Sequence, residues 1–323
     1  MTILVTGGAG YIGSILVRLL LEKGYKVRIL DNFRYGFESI TPIMNNKNLE
    51  IKVGDITKPA DINENLDDIE GVFHLAAIVG DPACSTNAEL AVETNFIGTL
   101  RLARICKQKE IENFIFASTC SVYGSQPGVS LITEELPTNP VSLYGETKAE
   151  SEAAILALAN ARFKPKIGRL ATVYGISPRM RFDLVINNFV RKAFIGETIK
   201  VFGGSQWRPF LNVKDAALGF LFLYEKELTN ERPIYNIGSS EENYQIIEIP
   251  KIIKELLPET KYEVLKEITD KRTYNVSFEK IATNGFKLTI SMKEGIKEII
   301  AEFQKGAYEN TEDKKYYNVE PVR

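Results

Sequence analysis

The sequence is poor in the side chains that hold metals. It has one histidine, His74, and three cysteines, Cys84, Cys106 and Cys120, in 323 residues. One histidine excludes a multi-histidine centre, and the cysteines have no metal-type spacing. Their odd number reads as reduced thiols, so no metal site is expected. No apolar run approaches the roughly 18 residues of a membrane span. No strong charge excess is present either: 40 basic against 42 acidic residues leave a net charge of −2. Nucleic acid and anionic membrane surfaces are therefore not expected partners. Internal repeats and low-complexity blocks are missing. The chain starts on an apolar strand pattern with no leader pattern before it, and a cytoplasmic location is the expectation. His74 sits inside a strand-like run, residues 72–76, which favours a structural role over catalysis.

What is present begins at Thr6-Gly7-Gly8-Ala9-Gly10-Tyr11-Ile12-Gly13. The apolar run Thr2-Ile3-Leu4-Val5 reads as a strand, residues 11–23 as a helix, and Val27-Arg28-Ile29-Leu30 as a second strand ending on Asp31. Glycines between a strand and a helix let the backbone approach a pyrophosphate, and the helix N-terminus supplies unpaired N–H groups and partial positive charge. An acidic residue at the end of the second strand accepts hydrogen bonds from a ribose 2′-OH. The pattern predicts dinucleotide binding. The Asp31 carboxylate would repel a 2′-phosphate, which favours NAD over NADP; Arg34, slightly beyond, is the residue that would argue the other way.

Strand and helix signals keep alternating. Strands are expected at 49–53, 71–75, 111–117 and 166–170, and helices at 89–107 and 144–161. This alternation predicts a doubly wound parallel sheet of the α/β class, with ligands beyond the carboxyl ends of the strands. After Tyr174 the pattern changes. Helices are expected at 182–194, 215–224, 246–256 and 292–303, and a strand at 234–237. The expected organisation is a dinucleotide-binding domain over 1–176, to which 209–240 return. Residues 177–208 and 241–305 form a smaller C-terminal substrate-binding lobe, and 306–323 a polar surface tail.

Tyr144 and Lys148 stand four apart at the start of a predicted helix, which puts both side chains on one face. A tyrosine hydroxyl has a pKa near 10, too high for a base at neutral pH. At an effective dielectric near 20, a unit charge at about 4 Å contributes roughly 4 kcal/mol, on the order of three pKa units. A neighbouring ammonium can thus poise the phenol as a general base. The alternative is an ordinary solvated Tyr and Lys. Thr119 follows a predicted strand and can hold a substrate oxygen beside the phenol.

Together these residues give the chain a close resemblance to the extended short-chain dehydrogenases/reductases, in the nucleotide-sugar epimerase/dehydratase family. The TGxxGxxG pattern matches at Thr6, Gly7, Gly10 and Gly13, and YxxxK at Tyr144 and Lys148. Thr119 matches the Ser/Thr four residues before the tyrosine of Val122-Tyr123-Gly124. The resemblance spans the chain to about residue 305 and implies a Rossmann-type fold with NAD as cofactor. It implies Thr119, Tyr144 and Lys148 as catalytic residues. Cofactor contacts are implied at Gly7, Gly10, Tyr11, Ile12 and Gly13 of the loop, and at Asp31 and Asn32. They are implied further on at Asp55 and Ile56, at Leu75, Ala76 and Ala77, at Asn95, and again at Tyr144 and Lys148. The motif from Gln206 to Asp215 implies that Arg208 grips a nucleotide diphosphate. Residues 177–183 are similar to a branch acting on capsule or lipopolysaccharide sugars, which makes Arg179 and Arg181 candidate substrate contacts or, equally, surface charges.

Two departures narrow the reaction. Dehydratases of the family carry Asp-Glu directly after the catalytic threonine; here Cys120 and Ser121 stand there, so 4,6-dehydration is not expected. Thr172 replaces an asparagine common among relatives. The implied substrate is a nucleoside-diphosphate sugar, oxidised at C4 and reduced again by a 4-epimerase. The alternatives are a 4-dehydrogenase or 4-keto-sugar reductase, acting perhaps on a heptose in surface-polysaccharide synthesis, and a cofactor-binding regulatory protein without turnover. The resemblance also implies a homodimer through helices near 93–107 and 144–161.

Overall fold

A computed structural model describes residues 2–126, 128–228, 232–265 and 273–319. Parts of the expected lobe (266–272) and tail (320–323) lie outside those residues. The strands in chain order are β1 (Thr2–Thr6), β2 (Lys26–Asp31), β3 (Leu49–Val53), β4 (Ile69–His74), β5 (Asn113–Thr119) and β6 (Lys164–Leu170). They continue with β7 (Thr172–Tyr174), β8 (Ile199–Phe202), β9 (Trp207–Asn212), β10 (Ile234–Ile237), β11 (Asn243–Gln245) and β12 (Tyr262–Leu265).

Seven strands form one parallel sheet in the order β10-β6-β5-β4-β1-β2-β3, a Rossmann-type α/β arrangement. Near-continuous apolar strands are what a sheet covered on both faces requires. In β1, Ile3 and Val5 join one core with Leu16, Val17, Leu20 and Phe220. Leu4, pointing the other way, joins Val72, Leu102, Phe114 and Ile155. Each such side chain, fully buried, contributes about 1.5–3 kcal/mol. Strand order runs outward in both directions from the β4/β1 boundary, so a crevice opens beyond the carboxyl ends of β1 and β4.

The smaller lobe is built from the sheets β11-β9-β7 and β12-β8 around a third core, which includes Phe182, Ile186, Phe210, Ile249, Ile296 and Phe303. The chain rejoins the large sheet through the helix Val213–Glu225 and β10. Among the described residues no helix is long and apolar enough to cross a membrane.

Three local expectations are corrected. The single helix expected at 89–107 is split into Ala88–Val92, a wide π-type turn at Glu93–Gly98, and Thr99–Gln108. The wide turn frees the Asn95 carbonyl to accept the Ser151 hydroxyl at 2.8 Å. The helix expected from 182 starts at Val185, because Leu184 is extended (φ −86°, ψ 139°); before it, the Phe182 amide donates to Tyr316 O at 2.9 Å. The same contact corrects the third expectation: residues 308–319 are not a loose polar tail. Tyr308 and Tyr316 pack their rings on Phe182, with centroids 5.2 and 5.0 Å away. Arg191 holds Glu312 at 2.6 Å.

One buried acid of the lobe gives a pH signature. Glu242 accepts from the Met292 amide at 3.2 Å. Burial pushes its carboxyl up to about 7, with Glu241, Asp215 and Glu294 adding to the rise and the Met292 amide opposing it. Between the usual value of 4.5 and about 7 the folded chain therefore binds more protons at this group than the unfolded chain. Its contribution to stability falls as pH rises through that window. Glu242→Gln is expected to gain on the parent by about 2–3 kcal/mol between pH 4.5 and 8, read as the change in the unfolding free-energy difference in urea. A difference that stays flat with pH refutes the assignment.

Candidate active site

The crevice is a cleft of about 950 Å³ between the large sheet and the smaller lobe. Its floor begins at the glycine loop. Gly7 has φ +72°, and a Cβ there would lie 2.8 Å from the Ala76 amide nitrogen at the end of β4. A Cβ on Gly13 would lie 2.1 Å from Gly7 O, so the loop closes only with glycine at both places. The amides of Tyr11 and Ile12 have no backbone acceptor among the described residues, which leaves donors for an anion at the N-terminus of the helix Gly13–Glu22. Asp31 is anchored from both sides: its carboxylate accepts from the Ala9 amide at 3.0 Å and the Phe33 amide at 2.8 Å. Burial pushes its carboxyl upward while those two amides pull it down. Asn32 donates to Asp55 at 2.9 Å, joining the ends of β2 and β3.

Gly7, Gly10, Tyr11, Ile12, Gly13, Asp31, Asn32, Asp55, Ile56, Leu75, Ala76 and Ala77 all line the cleft. Asn95 does not. Fully buried behind the site, it accepts from the Ile78 amide at 2.8 Å and donates to Ile78 O at 2.9 Å. It holds the Ile78 loop and does not face the cleft. The Tyr11 side chain is likewise turned away: its hydroxyl donates to Gly175 O at 2.6 Å and accepts from Asn187 at 3.0 Å. His74 bridges Thr6 and Thr99 at 2.7 and 2.8 Å, and burial lowers its pKa to about 3, so it is a neutral structural residue.

Thr119, Tyr144 and Lys148 meet at one end of this cleft, where β5 ends and the helix Leu143–Ala157 begins. Ser142 caps that helix and also donates to Asp81 at 2.7 Å. The electrostatics differ from the expectation. The Lys148 ammonium donates to Ala117 O at 2.8 Å and lies 4.6 Å from the Phe116 ring centroid. Burial lowers its pKa to about 8. Tyr144 is held above the usual tyrosine value, first by burial and then by Cys84 and Asp81. Arg181 and a hydrogen bond with Thr119 pull it down. Arg181 thus pulls the phenol down, a contribution that the i, i+4 spacing of Tyr144 and Lys148 does not anticipate.

Arg181 is 7 % exposed and paired in two-pronged fashion with Asp183, at 3.0 and 2.6 Å. Arg179 is 6 % exposed, stacks 4.7 Å from the Tyr35 ring centroid, and donates to Tyr317 O at 3.3 Å. Its Nε has no partner among the described residues, and burial brings its pKa down to about 10. Neither arginine is a surface charge. Arg208 lines the cleft, as do Lys192 and Lys200, and its guanidinium lies 4.5 Å from the Tyr274 ring centroid. After Thr119, only Ser121 faces the cleft; Cys120 is buried, its thiol toward Arg169 O at 3.6 Å. Asp183, Asn318 and Val319, none of them named as site residues from sequence, also line the cleft.

Residues 3–238 match the model of the NAD dependent epimerase/dehydratase family. The chain belongs to this family. A putative UDP-glucose 4-epimerase of Methanocaldococcus jannaschii is 32% identical over 306 residues, covering 92% of this chain and 97% of that protein. UDP-glucuronic acid decarboxylase 1 of Danio rerio is 29% identical, over 94% of this chain and 72% of the relative. Among solved structures, the UDP-glucose 4-epimerase of Thermotoga maritima with UDP-glucose superposes with a TM-score of 0.84 at 28% identity, covering 95% of this chain and 100% of that one. The UDP-glucuronic acid 4-epimerase of Bacillus cereus, solved with UDP-glucuronic acid and NAD, gives 0.83 at 29% identity, covering 94% and 99%. Family membership makes this chain an NAD-dependent nucleotide-sugar epimerase/dehydratase-type enzyme. The cradle described above fits NAD: free amides at a helix N-terminus for the pyrophosphate and an anchored carboxylate for the ribose.

Proposed function

We propose that the chain is a nucleotide-sugar 4-epimerase. One observation carries the reading. Thr119 and Tyr144, which share a hydrogen bond, line one cleft together with Arg208, Lys192 and Lys200. The cations suit a nucleoside diphosphate. A sugar attached to it then has the phenol and the threonine hydroxyl as partners in the same cleft. Phe202, 45 % exposed and lining that cleft, offers a face for the base.

When bound, NAD supplies a hydride acceptor. The remaining work falls to the chain. Tyr144 takes the proton from the C4 hydroxyl and returns it, and Thr119 holds the same oxygen. Lys148, fixed by Ala117 O, is placed for the nicotinamide ribose. Arg208 anchors the diphosphate, so that binding energy far from the reacting carbon positions it. No carboxyl group directly follows Thr119, so the acid–base pair that dehydratases of the family carry there is missing.

Incubation with UDP-, GDP-, CDP- and dTDP-linked sugars tests this. The expected outcome is interconversion of a 4-epimer pair without net NADH, followed by product stereochemistry and absorbance at the NADH band. Stoichiometric NADH with a released 4-ketone identifies a dehydrogenase instead. A 4-keto-6-deoxy product overturns the reasoning from Cys120 and Ser121.

A further inference from the structure

Two buried arginines between β7 and the helix Val185–Phe194 share one carboxylate. Arg181 engages both oxygens of Asp183, at 3.0 and 2.6 Å, and Arg179 forms no ion pair of its own among the described residues. The Arg179 guanidinium makes one long hydrogen bond, from Nη2 to Tyr317 O at 3.3 Å. Its Nε is closed off from solvent. Its Nη1 has no partner among the described residues and is not closed off. Arg179 is 6 % exposed and lines the cleft, so this open donor belongs to the cleft wall. A buried cation without a counter-charge is costly. One kept beside a ligand cleft provides for an anion.

The place of Arg179 in the fold says which anion. Ser177, two residues earlier, donates to Tyr11 O at 2.6 Å, shares a hydrogen bond with Ser14 Oγ at 3.2 Å, and accepts from the Arg179 amide at 3.2 Å. The Arg179 backbone is thereby pinned to the first turn of the helix after the glycine loop. The guanidinium stacks 4.7 Å from the ring centroid of Tyr35, which stands four residues beyond Asp31 and also lines the cleft. Asp31 in turn accepts from the Ala9 amide of the loop at 3.0 Å. Arg179 is thus tied both to the glycine loop and to the chain leaving β2, the two places that receive the pyrophosphate and the adenosine ribose of a dinucleotide. We propose that Arg179 holds the pyrophosphate of the bound dinucleotide from the lobe side, opposite the amides of Tyr11 and Ile12. The forked guanidinium matches phosphate oxygens, and the stack on Tyr35 fixes its plane. A nucleoside-diphosphate substrate carries the same diphosphate chemistry; its cations are Arg208, Lys192 and Lys200. The assignment needs the fit of the cleft to NAD, but neither the sugar nor the reaction proposed above.

The test is calorimetric titration of the cofactor-depleted full chain with NAD, ADP-ribose and adenosine, and of the NAD-saturated chain with UDP, GDP, CDP and dTDP. Arg179→Met is expected to weaken NAD and ADP-ribose at least tenfold, and to leave adenosine and the nucleoside diphosphates within twofold. The parent's NAD affinity should also fall more steeply with added salt than that of the variant. Arg179→Gln, which can still donate to Tyr317 O, removes the charge alone and should show the same losses; it carries the test where Arg179→Met does not fold. Arg179→Lys, which keeps the charge without the fork, should recover part of the NAD affinity. Equal weakening of NAD and adenosine would make Arg179 a purely structural residue and overturn the proposal. Unchanged NAD affinity would overturn it as well. Weakened nucleoside diphosphates with intact NAD binding would give the arginine to the substrate instead, and overturn it in that way.

Discussion

Tyr144→Phe is expected to lower turnover of the accepted nucleotide sugar roughly a thousandfold while NAD affinity stays within a factor of two. The ring is kept, so the packing on the Ile78–Cys84 cluster survives. What is lost is the one hydroxyl at this end of the cleft with a route to proton transfer. His74 is locked between Thr6 and Thr99, neutral and buried. The Cys84 thiol is raised to about 11 by burial and donates to Ile78 O. Lys148 is spent on Ala117 O. The Thr119 and Ser121 hydroxyls are not bases near neutral pH, and the Asp81 carboxylate, which bears on the phenol, is engaged by the Ser142 hydroxyl. Single-turnover NADH formation read beside an NAD titration separates chemistry from binding. Turnover within tenfold of the parent would remove Tyr144 from the role of base and place the proton acceptor elsewhere.

How much of this was written in the sequence depends on the range of the contacts. The glycine loop, the two strands around it and Asp31 occupy 30 consecutive residues, and local patterning specifies them. Thr119, Tyr144 and Lys148 were legible because strand-end position and i, i+4 spacing are local properties too. The electrostatics were not. Spacing puts Lys148 on the correct face of its helix, but its proton partner is a carbonyl of β5, and no helical rule anticipates that. Arg181 stood in the sequence as a plausible phosphate ligand. Its pairing with Asp183, and its influence on a phenol 37 positions earlier, follow from how the chain folds back after β7. The closing segment was hidden for a related reason. Its tyrosines fall at 308, 316 and 317, a spacing that fits neither a helix nor a strand. Phe182, which Tyr308 and Tyr316 cover, lies more than a hundred positions away. Asn95 was named as a cofactor contact through the family resemblance, with its helix read as continuous. The π-type turn that sends its side chain to Ile78 depends on Ser151 and on close packing at Gly98 against Ile56 O.

Glu152→Ala is expected to destabilise the fold by about 3–5 kcal/mol, the largest single-site effect on stability outside the apolar cores. Glu152 and Arg169 are each 4 % exposed and face each other across the helix Leu143–Ala157 and β6. The carboxylate accepts from Arg169 through Nε at 3.0 and 3.1 Å and Nη2 at 2.6 Å, and also from the Ser118 hydroxyl beside Thr119. Burial alone would lower the guanidinium pKa; the hydrogen bonds and charge of Glu152, with Tyr123, raise it instead. Removing the carboxylate leaves a buried cation whose Nη1 already lacks a partner among the described residues, stacked 4.8 Å from the Tyr123 ring centroid. The cost is therefore that of stranding Arg169, more than that of the lost attraction. Replacing both residues by methionine removes the stranded charge, so the double variant should regain most of the stability that Glu152→Ala loses. Urea unfolding of the parent and the two variants decides the matter. A double variant no more stable than Glu152→Ala would mean that packing around the helix, and not the uncompensated charge, sets the penalty.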